Sequence, residues 1–311
     1  MKRFLIKFLL FVIVAVIGYT AVLLWSGDHL SPRWKKNLFY NMPSQGYMYT
    51  RLKDADTTKN LDILILGSSR AFMGYDVRVF NQSQYKAFNL GSPAQSFIQT
   101  ELLAKRYINR FKPKVVLFDV HPDLFNNPGV ESAIDLASNA PFGTDLLQMA
   151  IKVNNIRVYN TLLYSMYRQL FFKNNSYTEP MVKSYGDYIK GGSVQPAPQD
   201  PYKAPAVIKP YAMEVDDMQL KAFEQTIAYL NENHVKYILL QGPVEKTEYL
   251  TRKNNHQIDS LISSYGTYYN ANKLLNLPDS LYQKDGKHLN QKGIEVYDKF
   301  IIKYLKDKTE L

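Results

Sequence analysis

The chain has 311 residues, a formal net charge of +10 and no cysteine. A disulfide frame, a thiol nucleophile and thiolate zinc sites are therefore excluded. The basic residues are scattered among acids without a clustered basic motif, so no nucleic-acid partner is expected.

Residues 1–25 stand apart. Lys2, Arg3 and Lys7 precede an apolar run over 8–25, long enough to span a bilayer as a helix. Bulky Val22-Leu23-Leu24-Trp25 offers no small-residue cleavage site, which favours a retained signal anchor over a cleaved signal peptide. Basic residues before the helix place the N-terminus in the cytoplasm and the rest outside. Arg33, Lys35 and Lys36 pull the other way without reversing that reading. The expectation is a single-pass protein of the cytoplasmic membrane, touching lipid through this helix, with its C-terminal domain extracytoplasmic. Residues 26–60, with Pro32, Pro43 and Gly46, read as a linker.

From 61 the chain alternates strands and helices. Ile63 to Leu66 are four apolar residues that run into Gly67-Ser68-Ser69-Arg70, the pattern of a buried parallel strand ending at glycine. A helix starting near Arg70 would expose a serine beside free N–H groups, which makes Ser69 a candidate nucleophile. The competing reading is that Ser68 or Ser69 only caps that helix. Further strands are predicted at 86–90, 115–120, 235–240 and 267–270, and helices over 97–111, around 222–231, around 255–264 and over 290–306. Such alternation predicts a flavodoxin-like α/β/α sandwich with a mainly parallel sheet, its chemistry at the carboxyl ends of the strands.

Residues 126–211 interrupt the alternation. One or two helices fit 145–172, and 174–210 is rich in Pro, Gly, Tyr and Lys. The segment reads as an insertion that lies over the active-site end, gates it and carries none of the core. Its tyrosines suit carbohydrate stacking and loop packing equally.

Near the C-terminus, Asp285 and His288 stand three apart before the last helix. On a tight turn, that carboxylate can reach its own histidine, fix the tautomer and support an imidazolium. Of five histidines, His288 is the best base by elimination. Asp119, His121 and Asp123 alternate at a strand end, which leaves a metal site as a minor alternative. No cofactor is expected.

The order of these blocks resembles that of the SGNH or GDSL hydrolases from about 61 to 304, the insertion excepted. Gly67-Ser68-Ser69 matches the nucleophile block, Asn89-Leu90-Gly91 the second, and Asp-Gly-x-His-x-Asn-x-x-Gly over 285–293 the last, which is the most specific. The resemblance implies Ser69 as nucleophile and the Gly91 N–H as an oxyanion donor. His121 falls where the family usually has an asparagine donor, and Ser68 where it usually has aspartate. A lipase-like α/β-hydrolase is disfavoured because its acid and histidine come from well-separated loops. With its N-terminal helix the chain looks most like the membrane-anchored envelope branch. That branch moves acetyl groups onto exported polysaccharides or serves D-alanyl transfer in teichoic acid synthesis. The resemblance implies a serine esterase or O-acyltransferase acting on an envelope polysaccharide or other acylated glycan, with a membrane acyltransferase as possible partner. The alternative is a non-catalytic binding or assembly subunit of an envelope acyltransferase or export complex.

Overall fold

A computed structural model describes residues 1–42, 44, 46–172, 177–200, 202–204 and 209–308. Pro43, Asn174, Pro201 and Pro205 of the expected linker and insertion lie outside them. In chain order the elements begin with α1 (Lys2–His29), α2 (Met48–Thr57), β1 (Ile63–Leu66), α3 (Ser69–Phe72), α4 (Val77–Gln82), β2 (Ala87–Asn89), α5 (Phe97–Phe111) and β3 (Val115–Asp119). A 3-10 turn (Pro122–Asn126) leads to α6 (Val130–Asn139), α7 (Thr144–Val153) and α8 (Ile156–Phe171), then β4 (Val182–Lys183), β5 (Gly186–Ile189) and β6 (Ser193–Pro196). After them come α9 (Asp217–Glu232), β7 (Lys236–Gln241), α10 (Lys246–Thr251), α11 (Asn255–Ser263), β8 (Tyr268–Asn270), α12 (Ala271–Leu274) and α13 (Gln291–Lys308).

The main sheet has the order β2-β1-β3-β7-β8, and every pairing is parallel. Its strands are mainly apolar, with polar residues at their ends, because both faces are covered. Ile63, Ile65, Val115, Leu117, Ile238 and Leu240 point to one face, against Phe80, Ile294, Tyr297 and Ile301 of α4 and α13. Leu64, Leu66, Val116, Phe118 and Leu239 point to the other, against α5 and α9. There Phe97, Phe118, Phe125 and Phe223 pack ring to ring, with Phe97 and Phe125 centroids 4.7 Å apart. The expected sandwich is present, with strand bounds within a residue or two of the sequence reading.

Two expectations change. Residues 26–60 are not all linker: α1 continues to His29, and α2 sinks Met48, Leu52 and Ala55 into the main core. The segment 126–211 does carry core. Leu136, Ala137, Leu146, Ala150 and Val158 of α6, α7 and α8 are buried in the same cluster as β1 and α5. The physical reason is that these helices present apolar faces that extend the α5–α9 layer, so they pack there and do not hang over the site. Beyond them, β4, β5 and β6 form a small antiparallel sheet. Its turn covers the exposed edge of β2, where the Asn89 N–H donates to the Gly191 carbonyl at 2.8 Å.

Helix α1 is long and apolar enough to cross a membrane, by length and composition. Its C-terminal part is docked on α8. The Tyr19 hydroxyl donates to Asn160 at 2.8 Å, and Tyr164 and Tyr167 donate to the Asp28 carboxylate at 2.6 and 3.0 Å. Gly27 lies against the Tyr164 ring, with no room for a Cβ. Gly27→Val should therefore push α1 off α8 and cost about 1–3 kcal/mol. Thermal unfolding of the full chain in detergent checks it; an unchanged melting temperature would show that α1 is not docked.

Candidate active site

The site begins where β1 ends. Gly67 has φ +148°, and a Cβ there would stand 2.8 Å from the Ala71 Cβ and 3.0 Å from the Asp119 carbonyl oxygen. Only glycine lets the chain turn so tightly against β3. Ser68 takes the N-cap position of α3 but makes no side-chain capping bond. Ser69 is the first helical residue, so its N–H has no acceptor within the helix. The serine pair therefore does not serve as a side-chain cap.

The loop before α13 brings Asp285 and His288 to this turn. Asp285 Oδ2 lies 2.6 Å from His288 Nδ1, and His288 Nε2 lies 2.9 Å from Ser69 Oγ, across 219 residues of sequence. The carboxylate can only accept, so Nδ1 donates to it and Nε2 is left to accept the Ser69 hydroxyl proton. Asp285 Oδ1 also accepts the N–H groups of Lys287 and His288 at 2.9 and 3.0 Å. Partial burial works against the carboxylate form, but the hydrogen bond and charge of His288, with those two N–H groups, hold the Asp285 pKa down to about 2. Asn290 caps α13, with its Oδ1 accepting the Gly293 N–H at 3.1 Å.

The two expected oxyanion residues differ. Gly91 is packed against α3, where a Cβ would meet the Ala71 Cβ and the Phe72 nitrogen at 2.8 Å. Its N–H donates to Asn89 Oδ1 at 2.9 Å, so an asparagine two residues back claims the expected donor within its own turn. His121, just past β3, is buried. The Asp123 N–H donates to its Nδ1 at 3.1 Å. Burial, with the charges of Arg70 and Arg252, holds its pKa well below the ordinary histidine value. A neutral ring that accepts at Nδ1 carries its proton on Nε2, and Nε2 has no protein partner. His121 thus presents a spare N–H at the carboxyl end of β3. The metal alternative loses its geometry: Asp119 turns to the Tyr75 hydroxyl at 2.9 Å, and no group of three ligating side chains occurs among the described residues.

Three features escaped the sequence reading. Arg70 follows Ser69 and is nearly buried, its Nη2 3.8 Å from Asp123 Oδ2. Arg252, between α10 and α11, places Nη2 3.3 Å from Asp123 Oδ1. The end of the insertion lies beside them, with the Tyr211 hydroxyl 3.2 Å from the same Oδ1. Proximity to Ser69 was a signal for Arg70; nothing in sequence separation pointed to Arg252 or Tyr211.

No protein-family model matches the chain, and no curated protein matches it. Among solved structures it is similar to a candidate acylhydrolase from Bacteroides fragilis, at 10% identity and TM-score 0.40, covering 83% of this chain and 94% of that one. It is also similar to a GDSL-like lipase from Bacteroides thetaiotaomicron, at 11% identity and TM-score 0.42, covering 83% and 97%.

Asp119 gives a pH test of the ground beneath the site. Burial pushes its pKa up to about 6, against the Tyr75 hydrogen bond and the Arg70 charge, which both favour the carboxylate. Between about pH 4 and 6 the folded chain keeps a proton that the unfolded chain has lost, so this group lowers stability as pH rises through that window. The full cost above it is roughly 3 kcal/mol. Asp119→Asn keeps an acceptor for Tyr75 and has no such titration. Its melting temperature relative to the parent should climb from pH 4 to 7; a pH-independent difference would refute the buried-carboxylate account.

Proposed function

We propose that the chain is a membrane-anchored serine esterase or O-acyltransferase of the SGNH type, acting on an ester of a cell-envelope glycan. The observation that supports it is the continuous hydrogen-bonded line from Asp285 through His288 to Ser69. In this reading Ser69 Oγ attacks the ester carbonyl and its proton passes to His288 Nε2. Asp285 holds the ring in place and offsets the charge of the imidazolium. The tetrahedral oxyanion accepts from the Ser69 N–H and from His121 Nε2–H, which takes the place of the family's asparagine. The leaving alkoxide recovers the proton from His288 and leaves acyl-Ser69. Water or a sugar hydroxyl then attacks that ester with His288 again as base, and frees Ser69. Acyl groups would come from the glycan itself or from a membrane acyltransferase. The reading places α1 in the cytoplasmic membrane and the domain outside.

The engaged Gly91 N–H favours a second reading, a non-catalytic binding or assembly subunit that keeps the fold. A fluorophosphonate probe on the detergent-purified chain separates the two. Labelling that disappears in Ser69→Ala supports the enzyme, and no labelling supports the subunit.

The charge pair gives the quantitative test. Asp285→Asn should leave the fold intact and lower ester turnover by about 10⁴, because the amide selects the wrong tautomer. His288→Ala should be at least as damaging, and the double variant little worse than either, since residues acting as one unit are not additive. Full turnover in folded His288→Ala protein would discard the assignment.

A further inference from the structure

Beside Ser69 stands a group of cationic side chains that the acyl-transfer chemistry does not use. Arg70 and Arg252 are buried, their side chains 10% and 4% exposed, while the one carboxylate between them, Asp123, is 40% exposed. Burying a guanidinium is costly unless its donors are met. Here they are met poorly. The contacts to Asp123 are 3.8 and 3.3 Å, longer than the 2.7–2.9 Å usual for charge-assisted hydrogen bonds. Arg70 Nη1 and Arg252 Nε have no protein partner, although Arg252 Nη1 does donate to Asn255 at 2.8 Å.

The neighbouring acids leave this situation as it is. Asp285 is committed to His288 and to two backbone N–H groups. Asp119 is committed through one oxygen to Tyr75, beneath the turn. Asp123 alone lies within 4 Å of both guanidiniums, and it holds them loosely from a 3-10 turn in which its own side chain is partly exposed. It also accepts from the Tyr211 hydroxyl at 3.2 Å. The arrangement is a buried guanidinium pair, next to the nucleophile, whose inner carboxylate is held at long range and lies open to solvent. Guanidinium forks suit carboxylate and phosphate oxygens.

We propose that Arg70 and Arg252 form an anion subsite, which receives a carboxylate or phosphate on the glycan whose ester Ser69 attacks. This rests on the esterase or acyltransferase reading for its context, and it makes the substrate an acidic glycan. Asp123 is the internal competitor: it keeps the pair folded and gives way when the substrate anion arrives. A merely structural ion-pair cluster has no reason to behave so. Removing the Asp123 charge would then only weaken the fold.

The test uses equilibrium binding, so that it does not depend on turnover. Full-length Ser69→Ala protein in detergent is titrated by calorimetry with methyl glucuronoside, glucose 6-phosphate and neutral methyl glucoside. Both anions should bind more tightly than the neutral sugar, and the tighter of the two identifies the group carried by the substrate. Arg252→Gln in that background should weaken anion binding about tenfold, the loss of one charge-assisted contact. Asp123→Asn should tighten it severalfold, because the competing charge is gone while the backbone N–H that orients His121 remains. Equal binding of all three sugars, or weaker anion binding in folded Asp123→Asn, would overturn the subsite. Fluorophosphonate labelling of Ser69 in the parent chain is read separately. A chain that labels but shows no charge preference keeps the enzyme reading and loses the subsite. A chain that binds anions but does not label loses the enzyme and keeps the subsite.

Discussion

The closeness with which the turn after β1 packs on its neighbours sets the position of everything else at this site. Gly67 and Gly91 both lie against Ala71 at distances that exclude a side chain, and Gly67 also lies against the Asp119 backbone. This contact fixes α3 over the carboxyl ends of β1, β2 and β3. It points Ser69 away from the sheet, where a loop more than two hundred residues later can meet it. A four-residue helix has no stability of its own, because nucleation is not recovered over so short a length. It persists because the sheet below leaves the chain no other course. The position of Ser69 is thus a packing outcome, and its hydrogen bond to His288 uses a geometry already set.

Much of this was legible in the sequence because it is written in local signals. An apolar run ended by glycine locates β1, and the spacing of Asp285, His288 and Asn290 belongs to one turn that closes on itself. What was not legible depends on tertiary choice. The faces of α6, α7 and α8 are amphipathic, but amphipathicity does not say which layer a helix joins. Lacking the strand rhythm around them, these residues looked like an excursion. The Gly91 N–H was lost to Asn89 by a side-chain rotamer, which no motif encodes. Arg252 reached the site because the turn after α10 bridges to Tyr211 and meets Asp123 beyond the end of β3.

The electrostatics divide along the same line. The residues of the hydrogen-bonded line are well supplied: Asp285 has three N–H donors and a correspondingly low pKa. Those around it are not. His121 Nε2, Arg70 Nη1, Arg252 Nε and Asp119 Oδ1 are all buried without a protein partner, and all stand at the carboxyl end of the sheet. In a core built for stability alone, such groups would be paired or replaced by apolar side chains.

Leaving them unpaired has a thermodynamic consequence. Each unpaired buried donor costs about 1–3 kcal/mol, a sizeable share of the net stability of a single domain. The rest of the chain offsets that cost through two continuous apolar layers and a covered sheet edge, with no disulfide to help. The unpaired groups beside Ser69 stand where a bound molecule can relieve their cost. The relief is chemical and specific. The spare groups beside Ser69 are mostly N–H donors, so a molecule that completes them brings acceptor oxygens: in the proposed reading, one at the carbon under attack and the others on an anionic neighbour. In the proposed reading, ester chemistry at Ser69 and an acidic substrate beside it are therefore two consequences of the same unsatisfied surface.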